Sequence, residues 1–476
     1  MRIVARWSVL VLLLVAATRA DAADKAWSQE LEQNVTRLIE EELRETRAPG
    51  AAVAIVRDGE LVYLRAFGVR SLEEHTPVTP NTLFRLGSTT KMMTALALLD
   101  AAAKGRVNLD APVRTYVKDL HPALGGVTLR QLLTHTAGMR EASPSVQSKD
   151  DSALGEMVRG WKGDYLFAPP GDIFSYTGPG YWLAGLVLER VHGKPYADVM
   201  REQFFQPLGM ERATLRPTEA LTHDFSQGHE GAGDALKIVR PMAENTAMYP
   251  AGSAFSSARE LARFAAVMLN GGVDGERRVF AEKTVRDFFT GQVPLPGTDV
   301  ARYGFGLVTM RLGDTALFEH GGVRRGYGSH IRFLPERRGA VITLTNENGV
   351  TLRRSLDRIT QAVFGLPEEP PRTEQAEPLT ATQAERYTGT YVHADLAKFT
   401  VTWDGKRLVL KTDKESPLER TGPDTFQTED HQGLAFVVKP GQPRAKYLHM
   451  DLLSAIRSGK QARPRGAHGF AGRAGR

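Results

Sequence analysis

Apolar residues at Leu31, Val35, Leu38, Ile39 and Leu43 recur at three- and four-residue intervals between Trp27 and Arg47. That is the spacing of an amphipathic helix with one buried face, and Pro49-Gly50 ends it. The period then changes. Ala51 to Val56 is a continuous apolar run, Asp58-Gly59 supplies a turn, and Leu61 to Phe67 follows, which predicts a β-hairpin. From 88 to 290 the pattern is mostly helix and loop. Strand patterns return at Tyr303 to Met310, Thr315 to His320, Ser329 to Leu334 and Ala340 to Asn346. Turn residues Gly313-Asp314 and Glu336-Arg337-Arg338-Gly339 separate them, and helical spacing reappears from Leu352 to Phe364. A hairpin and a meander separated by a helical insertion predict an α+β fold over residues 23–365. One antiparallel β-sheet, built from both ends of the segment and flanked by helices, stands beside an all-helical region. The Pro- and Glu-rich stretch 366–385 reads as a linker. Residues 386–456, with turns at Asp404-Gly405 and Thr421-Gly422-Pro423, read as a small all-β module.

Composition changes this picture in three places. Arg2 and Arg6 precede an apolar run from Val9 to Ala17 that closes on Ala20-Asp21-Ala22, so residues 1–22 read as a signal peptide and the mature chain as exported, periplasmic or secreted, with no membrane span after cleavage. The net charge of +6 resides in residues 457–476, which carry six basic residues and no acid and read as a basic disordered tail. The remainder is charge-balanced, which argues against nucleic acid as a partner. The chain has no cysteine, which excludes disulfides, thiolate metal sites and a cysteine nucleophile.

No G-x-S-x-G, phosphate-binding loop, G-x-G-x-x-G or H-E-x-x-H occurs. Gly87-Ser88-Thr89-Thr90-Lys91 does, just ahead of the apolar stretch Met92 to Ala103. With Ser88 as N-cap of a helix, Ser88 and Lys91 lie one turn apart on one face. A serine needs a base within hydrogen-bond reach. A lysine can be that base when burial and the helix N-terminus push its pKa down. Chance predicts about 0.6 such spacings in a chain of this composition, so the pair alone carries little.

The surroundings carry more. Thr82-Leu83-Phe84-Arg85-Leu86-Gly87-Ser88-Thr89-Thr90-Lys91, Leu132-Leu133-Thr134-His135-Thr136-Ala137-Gly138-Met139, Phe174-Ser175-Tyr176-Thr177-Gly178-Pro179-Gly180-Tyr181, Pro250-Ala251-Gly252-Ser253-Ala254-Phe255-Ser256-Ser257 and Glu319-His320-Gly321-Gly322 stand in that order. The set resembles the serine β-lactamase and penicillin-binding-protein superfamily, in its class C β-lactamase-related branch of esterases and D-amino-acid peptidases. The resemblance implies an acyl-enzyme hydrolase that uses no metal or other cofactor. In it Ser88 is the nucleophile, Lys91 its base partner and Tyr176 the proton shuttle. His320 stands where β-lactamases carry the lysine of K-T-G. The backbone N–H groups of Ser88 and Val323 form the oxyanion hole, and Gly178, Gly321 and Gly322 border the substrate. His135 reads as a buried structural histidine. The β-module resembles the small barrel-like domains some members append, where it packs or narrows the cleft.

Two positions depart from the family pattern. Tyr176-Thr177-Gly178 replaces the usual Tyr-x-Asn, removing an amide, and His320 replaces a permanent cation. Both turn the expectation from an efficient β-lactamase or D-Ala-D-Ala carboxypeptidase towards hydrolysis of a small ester, amide or D-peptide. A non-catalytic penicillin-binding-type sensor is the reading outside enzymes. Lys91 is expected to titrate below ~10.4, Tyr176 to be lowered beside it, and His320 to add an ionisation near ~6.5. Oligomeric state is not legible.

Overall fold

The computed structural model describes residues 27–145, 148–242, 244–367, 376–393 and 397–458. The signal-peptide expectation at 1–22, most of the tail from 459 onward and the middle of the linker lie outside the described residues.

The first helix, α1 (Gln29–Thr46), starts where Ser28 Oγ accepts the Leu31 N–H at 3.1 Å, and ends at Arg47 in the left-handed region. β1 (Gly50–Arg57) and β2 (Glu60–Gly68) form the hairpin. The helical region contributes α2 (Thr90–Ala103), α3 (Gly178–His192) and α4 (Ala258–Leu269). The meander then supplies β3 (Val293–Pro294), β4 (Arg302–Tyr303), β5 (Val308–Leu312), β6 (Thr315–Arg324), β7 (Tyr327–Leu334) and β8 (Gly339–Thr345), closed by α5 (Arg353–Phe364). The sheet order is β2-β1-β8-β7-β6-β5-β4-β3, antiparallel throughout, so the amino-terminal hairpin docks on the last strand of the meander.

β1 is buried on both faces, which explains its unbroken apolar run. Ala51, Val53 and Ile55 pack with Val35, Leu38 and Ile39 of α1 and Leu356, Ile359 and Val363 of α5. Ala52, Ala54 and Val56 belong to the larger core that continues through α2, α3 and α4.

Two strand expectations change. Tyr303 to Met310 is not one strand, because Gly304 and Gly306 reverse the chain between β4 and β5. Gly306 has φ +77°, and a Cβ there would lie 2.7 Å from Met92 Cα, so the turn presses directly on α2. Thr315 to His320 is too short a reading: β6 runs through Gly321-Gly322 to Arg324, because those glycines pair in register with His330 and Ser329.

The carboxy-terminal strands β9 (Gly389–His393), β10 (Ala397–Trp403), β11 (Leu408–Lys411), β12 (Glu415–Arg420), β13 (Thr425–Thr428), β14 (Gly433–Val437), β15 (Tyr447–Met450) and β16 (Leu453–Arg457) close into an eight-stranded barrel. Tyr391, Val401, Leu410, Phe426 and Phe436 fill its centre. Both its sequence boundaries need correction. Residues Ala381–Ala384, read as linker, form a capped helical turn whose Ala384 packs into the barrel core. Arg457, read as the first tail residue, ends β16; its guanidinium donates to Arg386 O at 2.9 Å and Ala445 O at 2.6 Å, and lies over the Tyr391 ring. Among the described residues no helix is long and apolar enough to cross a membrane.

Candidate active site

The chain reaches Ser88 from a short strand, Phe84–Arg85, paired with Phe255–Ser256. Gly87 takes φ +53° and opens a 3₁₀ turn, Gly87–Thr89, that runs straight into α2. Ser88 therefore does not cap the helix as the sequence suggests. Capping needs an extended residue, and the residues around this start, Leu86, Thr89 and Thr90, are already helical. The Ser88 hydroxyl is left for its neighbours.

Lys91, 3% exposed, places Nζ 3.3 Å from Ser88 Oγ and 2.9 Å from the carbonyl oxygen of Ala251. Burial brings the Lys91 pKa down to about 7, with nearby Glu141 opposing the shift and Arg324 adding to it. A neutral Nζ donates to the Ala251 carbonyl, which can only accept, and keeps its lone pair for the Ser88 O–H. That is the geometry of a base on a serine.

Tyr176 shares a hydrogen bond between its phenol and the Ser88 side chain, and Lys91 Nζ lies 4.6 Å from its ring centroid. Its pKa moves opposite to expectation. Burial raises it, with Glu141 adding to the rise, and together they outweigh the Ser88 hydrogen bond. The phenol stays protonated. Its main chain is anchored from far away: the Tyr176 N–H donates to Leu452 O of the β15–β16 turn at 2.8 Å.

His320 is buried on β6, and its ring nitrogens are spoken for. The Thr177 N–H donates to His135 Nδ1 at 3.1 Å, so neutral His135 carries its proton on Nε2, 3.2 Å from Tyr303 Oη. Tyr303 then donates to His320 Nε2, also at 3.2 Å, and His320 Nδ1–H donates to the Gly321 carbonyl. Burial, reinforced by Lys91, lowers both histidines, His320 to about 3. The ionisation expected near ~6.5 is absent, and His320 presents no charge to the cleft. His135 is buried and hydrogen-bonded, and its ring also packs 4.3 Å from that of Tyr176.

The end of β6 lies against the Ser88 turn. A Cβ on Gly87 would fall 2.7 Å from Val323 N, and one on Gly322 would fall 2.0 Å from Leu86 O and 2.9 Å from Thr89 N. Only glycine allows this approach, which sets the Val323 main chain against Gly87, the residue before Ser88. Gly321 faces the other way, towards His330. The Gly178 N–H, by contrast, is taken: it donates to Glu141 Oε2 at 2.6 Å.

Ser88, Lys91, Tyr176, His320, Gly178 and the 321–323 strand thus converge. Sequence reasoning missed Glu141, Tyr303 and Leu452. The first two sit outside any motif, and the third acts through a carbonyl that every residue type has.

Residues 35–365 match the family model Beta-lactamase. Protein flp of Staphylococcus aureus (strain MW2) is 27% identical over 216 residues, 44% of this chain and 43% of that protein. The D-aminopeptidase of Gluconobacter oxydans (strain 621H) is 29% identical over 353 residues, 72% of this chain and 64% of its own. The matched region thus spans less than two thirds of either relative's length. Among solved structures, SurE superposes with a TM-score of 0.76 at 27% identity, covering 90% of this chain and 99% of the other, and SurE is also solved with D-Leu. With the model match covering most of the chain, and the fold and motif order agreeing with it, the protein belongs to the Beta-lactamase family.

Proposed function

We propose that this hydrolase cleaves small esters and D-amino-acid amides through an acyl-enzyme on Ser88. The observation that carries the reading is Ser88 Oγ 3.3 Å from a buried lysine whose other partner is a carbonyl. Lys91 takes the Ser88 proton as Oγ bonds to the substrate carbonyl carbon. The N–H groups of Ser88 and Val323 hold the resulting oxyanion, each such donor being worth ~2.7–4 kcal/mol. Tyr176, protonated and bonded to Ser88, hands a proton to the departing alcohol or amine and is reprotonated from Lys91. Water then attacks the acyl carbon by the reverse relay and frees Ser88.

The uncharged His320 and the missing amide at 178 favour esters over β-lactams, since an ester's leaving group needs less protonation and less orientation. A D-configured acyl group is supported by the similarity to a D-aminopeptidase and to a protein solved with D-Leu. The amino-terminal pattern of charge, apolar run and A-x-A supports action outside the cytoplasm.

A fluorophosphonate probe tests the reading. It should modify the peptide containing Ser88, and Ser88→Ala should lose the adduct while keeping a wild-type melting profile. An adduct on another serine refutes the site. A kcat/KM for nitrocefin above that for p-nitrophenyl butyrate refutes the substrate order.

A further inference from the structure

Arg324 ends β6 and Arg325 follows it, and the two guanidiniums are used differently. Arg325 Nε and Nη2 each lie 2.7 Å from the Glu230 carboxylate. Arg324 is half-buried, and among the described residues its Nη1 and Nη2 reach only the Met248 thioether, at 3.7 and 3.9 Å. Its Nε is buried with no hydrogen-bond partner among those residues. Sulfur is a weak acceptor for a group with five donors. Glu244 acts on Arg324, but its ion pair, at 3.4 Å, is with the buried Arg85, and exposed Lys149 acts on the same carboxylate. Three cations thus share one anion. Burial and Arg85 bring the Arg324 pKa down to about 10, with Glu244 opposing, so the group remains a cation at neutral pH.

The place of this cation in the fold gives it a use. Side chains alternate along a strand, so Arg324 shares the face of β6 that carries His320 and Gly322. The His320 ring lies 6.1 Å from that of Tyr176, and Gly322 is pressed against the Ser88 turn. From His320 to Arg324 the strand advances about 13 Å at ~3.3 Å per residue. Tyr176 and Arg324 therefore flank the Ser88 turn from opposite ends. Met248, beneath Arg324, closes the turn Thr246–Met248 that runs into Tyr249–Gly252, where the Ala251 carbonyl holds Lys91 Nζ at 2.9 Å. With Tyr176 protonating the leaving group, that group departs towards Tyr176 and the acyl group extends towards Arg324.

We infer that Arg324 is a specificity-determining residue whose guanidinium binds a carboxylate at the far end of the acyl group, which makes esters and amides of acids bearing a second carboxylate the preferred substrates. The inference deepens the acyl-enzyme reading above and rests on it. A planar guanidinium matches a carboxylate with two parallel N–H donors, and a half-buried one is less screened by salt than a surface cation. The charge supplied here is the one that His320 lacks, set at the opposite end of the strand face.

The esters p-nitrophenyl hydrogen adipate and p-nitrophenyl hexanoate differ only by a terminal carboxylate in place of a methyl. With spontaneous hydrolysis subtracted, wild-type kcat/KM should favour the adipate about tenfold or more, the scale of a hydrogen bond to a charged group. Two neutral variants of different polarity, Arg324→Gln and Arg324→Met, should bring the two esters level. Arg324→Lys keeps the charge without the fork and should show an intermediate preference. Arg325→Gln should keep the wild-type preference, because that guanidinium is spent on Glu230. No adipate preference in the wild type, or one that survives in the neutral variants, overturns the inference while fluorophosphonate labelling at Ser88 still stands. A preference for 4-carboxyphenyl over phenyl hexanoate that Arg324→Gln removes would place the anion on the leaving group and overturn it too. Absence of labelling at Ser88 in the wild type overturns both readings.

Discussion

Lys91 is one methylene chain from being an ordinary surface cation, and burial, aided by Arg324, makes it something else. Its pKa near 7 gives the pH profile a sign. The amine is the base only when neutral, so kcat/KM on p-nitrophenyl butyrate should rise with pH through about 7. No second limb from His320 should appear between pH 5 and 8, because that ring titrates near 3. Tyr176→Phe should lower kcat by ~10²–10⁴ and leave the rising limb where it was, since the phenol is protonated across the range. A Tyr176→Phe variant whose limb shifts would assign the ionisation to the pair instead. Ser88 and Lys91 stood out by their spacing, Tyr176 and His320 only through motifs that resemble the family's, and the structure brings the four together. Their ionisation was not legible. It depends on what buries them, and Glu141 and Tyr303 arrive from segments 37 and 168 residues away from their partners Gly178 and His135.

Elements meet here by backbone contact, and β6 shows how much that demands. His320, Gly322 and Arg324 alternate onto one face of the strand, with Gly322 touching Leu86 O and Thr89 N across the Ser88 turn. Gly322→Ala would drive a methyl into main chain that cannot step aside. It should cost ~1–3 kcal/mol of stability and about a hundredfold in kcat by parting the Val323 amide from Ser88. Gly321→Ala projects from the opposite face, where its methyl meets His330 Nδ1 at 3.3 Å, and should be milder on both counts. Thermal melts and ester kinetics on the two variants check this, and equal losses would contradict the assigned faces. Hydrophobic period revealed the hairpin, α1 and the meander, because each has one partner face or two. It misjudged the strand ends at Tyr303 to Met310 and Thr315 to His320. Glycine turned the chain in the first and extended the ladder in the second, and its lack of a side chain gives the pattern nothing to count.

On the scale of the whole molecule the barrel is tied to the site's own loop. Asp172 Oδ1 meets Lys439 Nζ at 2.8 Å, and its Oδ2 meets Lys446 Nζ at 2.6 Å and the Tyr447 hydroxyl. Burial opposes the Asp172 charge, and these three donors overcome it and hold its carboxyl well below the usual carboxylate range. Ser454 donates to Phe174 O at 2.7 Å, and Leu452 packs with Phe174, Leu295 and Tyr303. Asp172→Asn should weaken this docking by about 1 kcal/mol, the scale of a partly exposed charged pair, and lower kcat more than it raises KM. Unchanged kcat with a lowered melting temperature would make the barrel a purely structural partner. An all-β module was legible from its turn spacing, and its barrel form only from the resemblance. Its reach was not, because the bond from Tyr176 to Leu452 uses main-chain atoms on both sides.

That last bond also orders events in time. During synthesis Ser88 and Lys91 emerge early, yet the carbonyl that fixes the Tyr176 backbone belongs to residue 452 of 476. Until the final hairpin has closed the barrel and docked, Tyr176 lacks this main-chain anchor beside Ser88. The proposed site is therefore completed last. On refolding from denaturant, recovery of ester hydrolysis should lag the return of secondary structure and coincide with burial of the barrel aromatics.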